Sequence, residues 1–328
     1  MYVMHLNSLR YKTVSVLTFR VRNPLHIGTG EFGAVKRILR IGDGVLIPSS
    51  TWKGAIRNVA EKLARGMIAQ LGGLERLALA CYREESGEIR YELDREHLER
   101  LFGHERAALI VEEYGRAREE FRRNLREQLE AYFRGDGLDG IGNELRTLLD
   151  IGYRPEDLTD HRRFQLDEAF AEYLACHCPI GRLFGNRALS GKVRPQDTLL
   201  MPERIELKPG VGIDRGFGAV SARHLRFLET IPPGTEVKLT LVADNLFPGD
   251  ADSRLMAGVL EWIKDLGLQI GAGKSTGLGL LELESGEVWH WELGGDADSR
   301  GAVLANPFRS GLRPMDVKAF VSLLRSVG

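Results

Sequence analysis

Gly271-Ala272-Gly273-Lys274-Ser275-Thr276-Gly277-Leu278-Gly279 decides between two fold classes. A phosphate-binding P-loop needs Gly, four free residues, Gly-Lys-Ser/Thr, and then a helix. Gly273-Lys274-Ser275 supplies the core of that pattern, but Leu268 stands where its first Gly belongs. The residues that follow, Leu278-Gly279-Leu280-Leu281-Glu282-Leu283-Glu284, read as a strand. No helix N-terminus is then available to receive a triphosphate. A glycine turn with one lysine and two hydroxyls can still hold a single phosphate on its backbone amides. The stretch therefore points to a polynucleotide backbone and to an α+β fold.

Working outward from that loop, residues 252–266 place Leu255, Val259, Trp262, Ile263 and Leu266 at helical spacing, and Glu236–Ala243 alternates as a strand. Thr13-Val-Ser-Val-Leu-Thr-Phe-Arg-Val-Arg22 alternates as a half-buried strand that Asn23-Pro24 ends. Ser49-Ser50-Thr51 offers cap hydroxyls to a helix with an apolar stripe of Ile56, Val59, Ala60, Leu63 and Met67, stopped by Gly72-Gly73. Omitting insertions, the order is strand, helix, strands, helix, strand. That order fits a ferredoxin-like, RRM-like βαββαβ core. Residues 74–175 are charge-dense, with Tyr114, Phe121, Leu125, Leu129 and Phe133 at helical spacing, and read as a helical insertion. From Cys178 to Ala243 the pattern is strands and loops. The expected organisation is core at 11–73, helical insertion at 74–175, a lid or thumb region at 176–234, core again at 235–284, and a C-terminal extension at 285–328 with a helix near 314–326.

Composition narrows the setting. A hydrophobic fraction of 43% and a charged fraction of 28% describe a globular chain with a large core. No apolar run reaches membrane-span length, and the first residues lack a signal-peptide layout. Three cysteines in 328 residues argue against a secreted disulfide scaffold, so a cytoplasmic protein with no membrane partner is expected. The net charge of -1 leaves nucleic-acid binding to local stripes, and basic residues do lead at 36–65 and 182–226.

The chemical motifs differ in weight. Gly28-Thr-Gly30-Glu-Phe-Gly33 has the letters of a dinucleotide fingerprint, but Ala34–Ile41 reads as extended where that fingerprint requires a helix. No nucleotide cofactor is expected. Ser49, Ser50, Lys53 and Arg57 put hydroxyls, free amides and two cations at one helix start, which is a phosphate site as well as an ordinary cap. His26, just upstream, can join it or be structural. Cys176-His177-Cys178 with Cys81 and a histidine of the insertion (His104, or His97 or His161) supplies the letters of a Cys3His structural zinc site, but the spacing is not the usual C-x2-C, and reduced, partly buried thiols are the alternative. No nucleophile triad and no paired carboxylates are legible, so no catalytic residue is assigned.

Four segments in order resemble the RAMP superfamily of CRISPR-associated proteins, in particular the backbone subunit of type III (Csm/Cmr) effector complexes. They are Pro24-Leu-His-Ile-Gly-Thr-Gly30; Ile47-Pro-Ser-Ser-Thr-Trp-Lys-Gly-Ala-Ile-Arg57; Cys178-Pro-Ile-Gly-Arg-Leu-Phe-Gly185 with Gly212-Ile-Asp-Arg215; and the Gly271–Gly279 loop before its strand. The resemblance implies an RRM-like core, stacked in copies along a guide crRNA beside other subunits of the complex, with single-stranded target RNA as a further partner. It implies RNA contacts from His26, Ser49, Ser50, Lys53, Arg57, Lys274 and Ser275. It also implies a β-hairpin thumb around Ile213–Leu228, with Asp214, Arg215, Phe217, Arg223 and His224.

The chain departs from the family pattern at one chemically decisive place. The aspartate that supports metal-dependent target cleavage falls on Lys36, with Glu31 and Asp43 nearby but out of register. An ammonium cannot bind Mg²⁺. The expectation is an RNA-binding subunit without target cleavage, Lys36 contacting phosphate instead. A metal-dependent endoribonuclease is the alternative, and a nucleotide-dependent enzyme the second. The second cysteine of the family's Cys-Pro-x-Cys is Gly181 here, which weakens a zinc site built on that motif alone.

Overall fold

The computed structural model describes residues 9–30, 35–85, 88–135, 142–159, 163–213, 220–293 and 313–326. By backbone proximity the chain divides into two compact units. One comprises residues 1–8, 61–192 and 250–255, the other 9–60, 193–249 and 256–328.

The second unit is built on one antiparallel sheet. Its core elements are β1 (Tyr11–Val21), the part of α1 (Ser49–Met67) up to residue 60, β2 (Val193–Pro195), β3 (Glu236–Asp244), the part of α2 (Ala251–Leu266) from residue 256, and β4 (Leu280–Glu292). The sheet order is β4-β1-β3-β2, with Leu268–Gln269 and Met315–Asp316 both added to β4. First and third strands side by side, flanked by the fourth and second, is the ferredoxin-like order the sequence predicts. In β1, Thr13, Ser15, Leu17, Phe19 and Val21 are all buried, because alternate residues share one face. Thr13 pairs with Ala243 on one side and His290 on the other. The β1–β4 register shifts between Thr18 and Phe19, and Leu17 pairs with Gly286 there. A Cβ on Gly286 would lie 2.5 Å from Val317 Cγ2 and 2.8 Å from Leu17 Cδ2, so only glycine admits both neighbours.

The helix α1 begins where Trp52, fully buried, stacks on Phe19 and donates from its indole to Thr198 Oγ1 at 3.2 Å. A C-terminal helix, α3 (Val317–Arg325), is capped by the Asp316 carboxylate accepting from Ala319 N–H. It is tied to α2 by Arg325 on Glu261. A smaller three-stranded sheet joins Arg40–Ile41, Gly44–Ile47 and Thr198–Leu200. The strand Val220–Thr230 pairs antiparallel with Glu206–Ile213 and in parallel with Val35–Lys36.

The other unit is helical, as the insertion pattern predicts. Its spine is the helix His104–Arg134, whose Tyr114 and Phe121 pack on Phe170 of the helix Arg163–His177. Two features depart from expectation. Residues 82–91 form a β-hairpin, Tyr82–Glu85 with Glu88–Tyr91. Pro179–Phe184 is a short helix instead of a strand or loop. Pro179 sits at its first turn, where no amide hydrogen is needed, and Cys178 Sγ accepts from Gly181 N–H. Among the described residues no helix is long and apolar enough to cross a membrane.

Candidate nucleic-acid interface

The start of α1 is built by strand pairing. Thr198, opposite Ile47 in the small sheet, accepts from Trp52 and donates to Lys238 O at 2.9 Å. That bond joins the helix start to β3. One residue earlier, the Asp197 carboxylate accepts the Ser49 N–H at 2.6 Å. A carboxylate at this position favours the helix dipole. It also occupies one of the first-turn amides that a phosphate would use. What the helix start still offers is side chains: Ser50 is exposed, and Lys53 and Arg57 are half-buried.

These cations are crowded. The Lys53 ammonium is held below the ordinary lysine range by burial first, then by Arg57 and by Arg194. Arg194 lies on β2 and was not legible as a site residue. Its own partner is Asp244 at the end of β3, which Lys12 of β1 also contacts at 2.6 Å. Burial alone would raise the Asp244 pKa, but the hydrogen bonds from Lys12 and Arg194 outweigh it and hold the carboxyl low. Arg57 and Arg194 thus lie close enough to Lys53 to lower its pKa, while Arg194 also pairs with Asp244.

The glycine loop is fixed at the C-terminal end of β1. Gly279 N–H donates to Pro24 O at 3.0 Å, Ala272 N–H to His26 O at 2.9 Å, and Asn23 Nδ2 to Gly277 O at 2.8 Å. Lys274–Thr276 makes a single 3-10 turn before β4, so no α-helix follows the Gly-Lys-Ser triplet. The P-loop reading is thereby excluded. Gly279 has φ 76°, and a Cβ there would lie 1.9 Å from Ile270 O. Lys274 and Ser275 are exposed at the turn. Phe19, near the end of β1, carries the Trp52 contact, and the segment Asn23–His26 that follows the strand carries the glycine loop.

His26 plays a different part from the one expected. It is 2% exposed, its Nδ1 lies 2.7 Å from Glu229 O, and its carbonyl holds the glycine loop. It fastens three segments and presents no open ring to a ligand. Lys36 is half-buried on the strand paired with Leu228. Beside it, Glu229 accepts from Ile38 N–H at 3.0 Å and from Arg40 at 3.2 Å. No helix follows Gly33 before Ser49 among the described residues, which removes the dinucleotide fingerprint. Asp43 sits at an exposed turn between Ile41 and Gly44. Glu31, Asp214, Arg215 and Phe217 lie outside the described residues. Arg223 and His224 belong to the strand Val220–Thr230, and their side chains also lie outside the description.

The expected zinc ligands do not form a set. Cys81, Cys176 and Cys178 are buried free thiols, and His104 is an exposed side chain 3.1 Å from Glu99. Burial pushes the Cys81 and Cys176 thiols up to about 12 and raises Cys178 as well, while Cys178 Sγ already bonds to Gly181 N–H and to the Tyr91 hydroxyl. Among the described residues no group of three or more His, Cys, Asp or Glu side chains is placed to hold a metal ion. The residues present do not fit the ion, because a zinc-binding thiol must be ionised and three ligands must converge.

No curated protein matches the chain. A family model does, over residues 18–126 and again over 124–282. The first match carries the end of β1 and all of α1, and the second carries β2, β3, α2 and the start of β4. With the ferredoxin-like sheet and its insertion already in view, the match covers most of the described core: the chain belongs to the RAMP superfamily.

Proposed function

We propose that this protein binds the guide RNA of a type III CRISPR effector complex as a sequence-independent backbone subunit, and does not cleave the target strand. Membership of the RAMP superfamily supports a CRISPR-associated, RNA-binding role in general. The observation that carries the finer reading is the cation cluster of Lys53, Arg57 and Arg194, in which burial and like charge both lower the Lys53 pKa. Such a site gains most from a ligand that brings negative charge without needing base identity, which is a sugar–phosphate chain. Lys274 and Ser275, exposed on the glycine loop, supply a second contact of the same kind. Lys36, standing where the family's cleavage aspartate is expected, supports binding without hydrolysis.

The test is a filter-binding titration of the full chain with unstructured single-stranded RNA at two ionic strengths. Lys53→Ala with Arg57→Ala should weaken binding about equally for different sequences and flatten the salt slope by roughly 0.7 per lost phosphate contact. An unchanged slope would remove the helix start from the RNA site. Incubation of the assembled complex with target RNA and Mg²⁺ should leave the target intact. Cleavage at regular intervals that is lost in Asp43→Asn or Glu31→Gln would replace this reading with the endoribonuclease one. Tight ATP or NAD binding unaffected by competing RNA would replace it with a nucleotide-dependent enzyme.

A further inference from the structure

The helical unit carries a groove lined by none of the residues proposed to hold RNA. It has a volume of about 620 Å³ and lies between the end of α1, the helix Gly73–Cys81 and the pair Arg95–Phe102 and His104–Arg134. Its floor is aliphatic, with Ile68 and Ile110 each only 7% exposed. Phe102 is half-buried beside them, and Leu109 stands 64% exposed at the wall. On His104–Arg134, Arg106, Leu109, Ile110, Glu113 and Arg116 fall on one face by their spacing of three and four, and all line the groove.

The rim is cationic. Arg65, Arg76, Arg106 and Arg116 line the groove against one carboxylate, Glu113. Arg76 neutralises that carboxylate. Even so, Arg76 Nε is buried without a hydrogen-bond acceptor. Arg116 reaches only Glu112, at 3.9 Å, with both side chains well exposed. Arg65 and Arg106 have no ion-pair partner among the described residues. Two of the four rim guanidiniums, Arg65 and Arg106, thus stand without a paired carboxylate among the described residues beside an apolar floor, and a third, Arg116, is held only loosely.

We propose that this groove docks a protein partner through an amphipathic helix with aliphatic anchors on one face and carboxylates on its flanks. An exposed leucine over a packed aliphatic floor is the surface that receives helical anchors spaced at three and four residues. The arginine rim selects acidic flanks, since each guanidinium offers a planar pair of donors that matches a carboxylate. Single-stranded RNA is the poorer fit. Bases need aromatic faces on which to stack, and Phe102 is the groove's one aromatic residue. The proposal stands apart from the RNA site, which uses α1's opposite end and the glycine loop.

The probe is a fluorescein-labelled peptide of roughly 18 residues, long enough for several helical turns. It carries leucines on one face and glutamates elsewhere, and its control has the same composition scrambled so that no apolar face forms. Anisotropy titrations on the full chain should show binding of the first peptide and not the second, weakened by salt. Arg106→Glu and Leu109→Glu should each reduce affinity about tenfold or more. Both positions are exposed, so thermal melts should match the wild type and separate lost docking from lost folding. Both variants should also retain wild-type affinity for single-stranded RNA, while Lys53→Ala with Arg57→Ala should retain peptide binding. Equal binding of the scrambled peptide, or indifference to both charge-introducing changes, overturns the proposal. So does a loss of RNA affinity in Leu109→Glu, which would assign the groove to nucleic acid.

Discussion

Trp52 lies over Phe19 with ring centroids 5.8 Å apart and planes inclined by 29°. Trp52 lies in the first turn of α1 and Phe19 near the end of β1, both are completely buried, and Lys53 is the next residue along the helix. Trp52→Ala should cost about 3–5 kcal/mol, as for large aromatic truncations in packed cores. Trp52→Phe should cost less, because it keeps a ring against Phe19 and loses the bond to Thr198 and only part of the indole's packing. Urea denaturation of the two variants would order them. Of the two, only Trp52→Ala should also reduce RNA affinity, through displacement of the cation cluster.

Asp244 pairs with two cations, Lys12 and Arg194, only one of which belongs to the proposed RNA site. Lys12→Ala and Arg194→Ala each remove a charge-assisted bond to a buried carboxylate and should each destabilise by about 1–2 kcal/mol. Arg194 also crowds Lys53, and Lys12 is not among the groups that shift it. Arg194→Ala should therefore flatten the salt dependence of RNA binding, and Lys12→Ala should leave it unchanged. Equal slopes in the two variants would contradict the assignment of Arg194 to the RNA site.

Two glycines in the same loop should respond very differently to alanine. Gly277 has φ 80° with nothing within 4 Å of an added Cβ, so Gly277→Ala bears only the left-handed backbone penalty, about 1 kcal/mol. At Gly279 the Cβ would overlap Ile270 O, so the loop must open or the strand must shift. Gly279→Ala should lose several times as much stability as Gly277→Ala, together with RNA binding. Chemical denaturation and one RNA titration on each variant read both effects.

His290 predicts the acid limb of the stability curve. Burial lowers its pKa from 6.5 to about 4, where it stacks on Tyr11 and its Nδ1 lies 2.8 Å from the Thr13 hydroxyl. The unfolded chain then binds a proton that the folded one refuses between those two values. Stability from this residue is complete above pH 6.5 and falls as the pH drops toward 4, by roughly 3 kcal/mol if the whole shift is expressed. His290→Phe should flatten the melting-temperature profile in that window while costing a constant amount for the unpaired Thr13 hydroxyl. Parallel profiles for the two proteins would mean that other groups govern the acid limb.

The elements that sequence revealed are those whose burial is one-sided and regular. Alternation in β1 and the helical stripes of α1 and α2 each report a single covered face, and the strand after Gly279 excluded a nucleotide loop before any coordinates. The helix Pro179–Phe184 escaped because its six residues, with Gly181 inside and Gly185 after them, fill less than two turns and leave no period to detect. The site was half legible. Lys53 and Arg57 announce themselves by their spacing on one helix. Arg194 does not, because its nearness to them depends on β2 pairing with β3, a relation between residues far apart in the chain. His26 stayed open between a phosphate contact and a structural role, and the carbonyl of Glu229 and the fold of the glycine loop, which bury it, are long-range relations that the sequence does not display.

The order of the central sheet also dictates a timetable for synthesis. Thr13 of β1 finds its neighbours at Ala243 and His290, both supplied long after it leaves the ribosome. The whole stretch 61–192 emerges first, and its helices can form from nearby residues while β1 waits with both edges open. During that interval an alternating apolar strand is the segment most exposed to mispairing between nascent chains. Its own protection is Arg20 and Arg22, which find their glutamates on β4 only at the end.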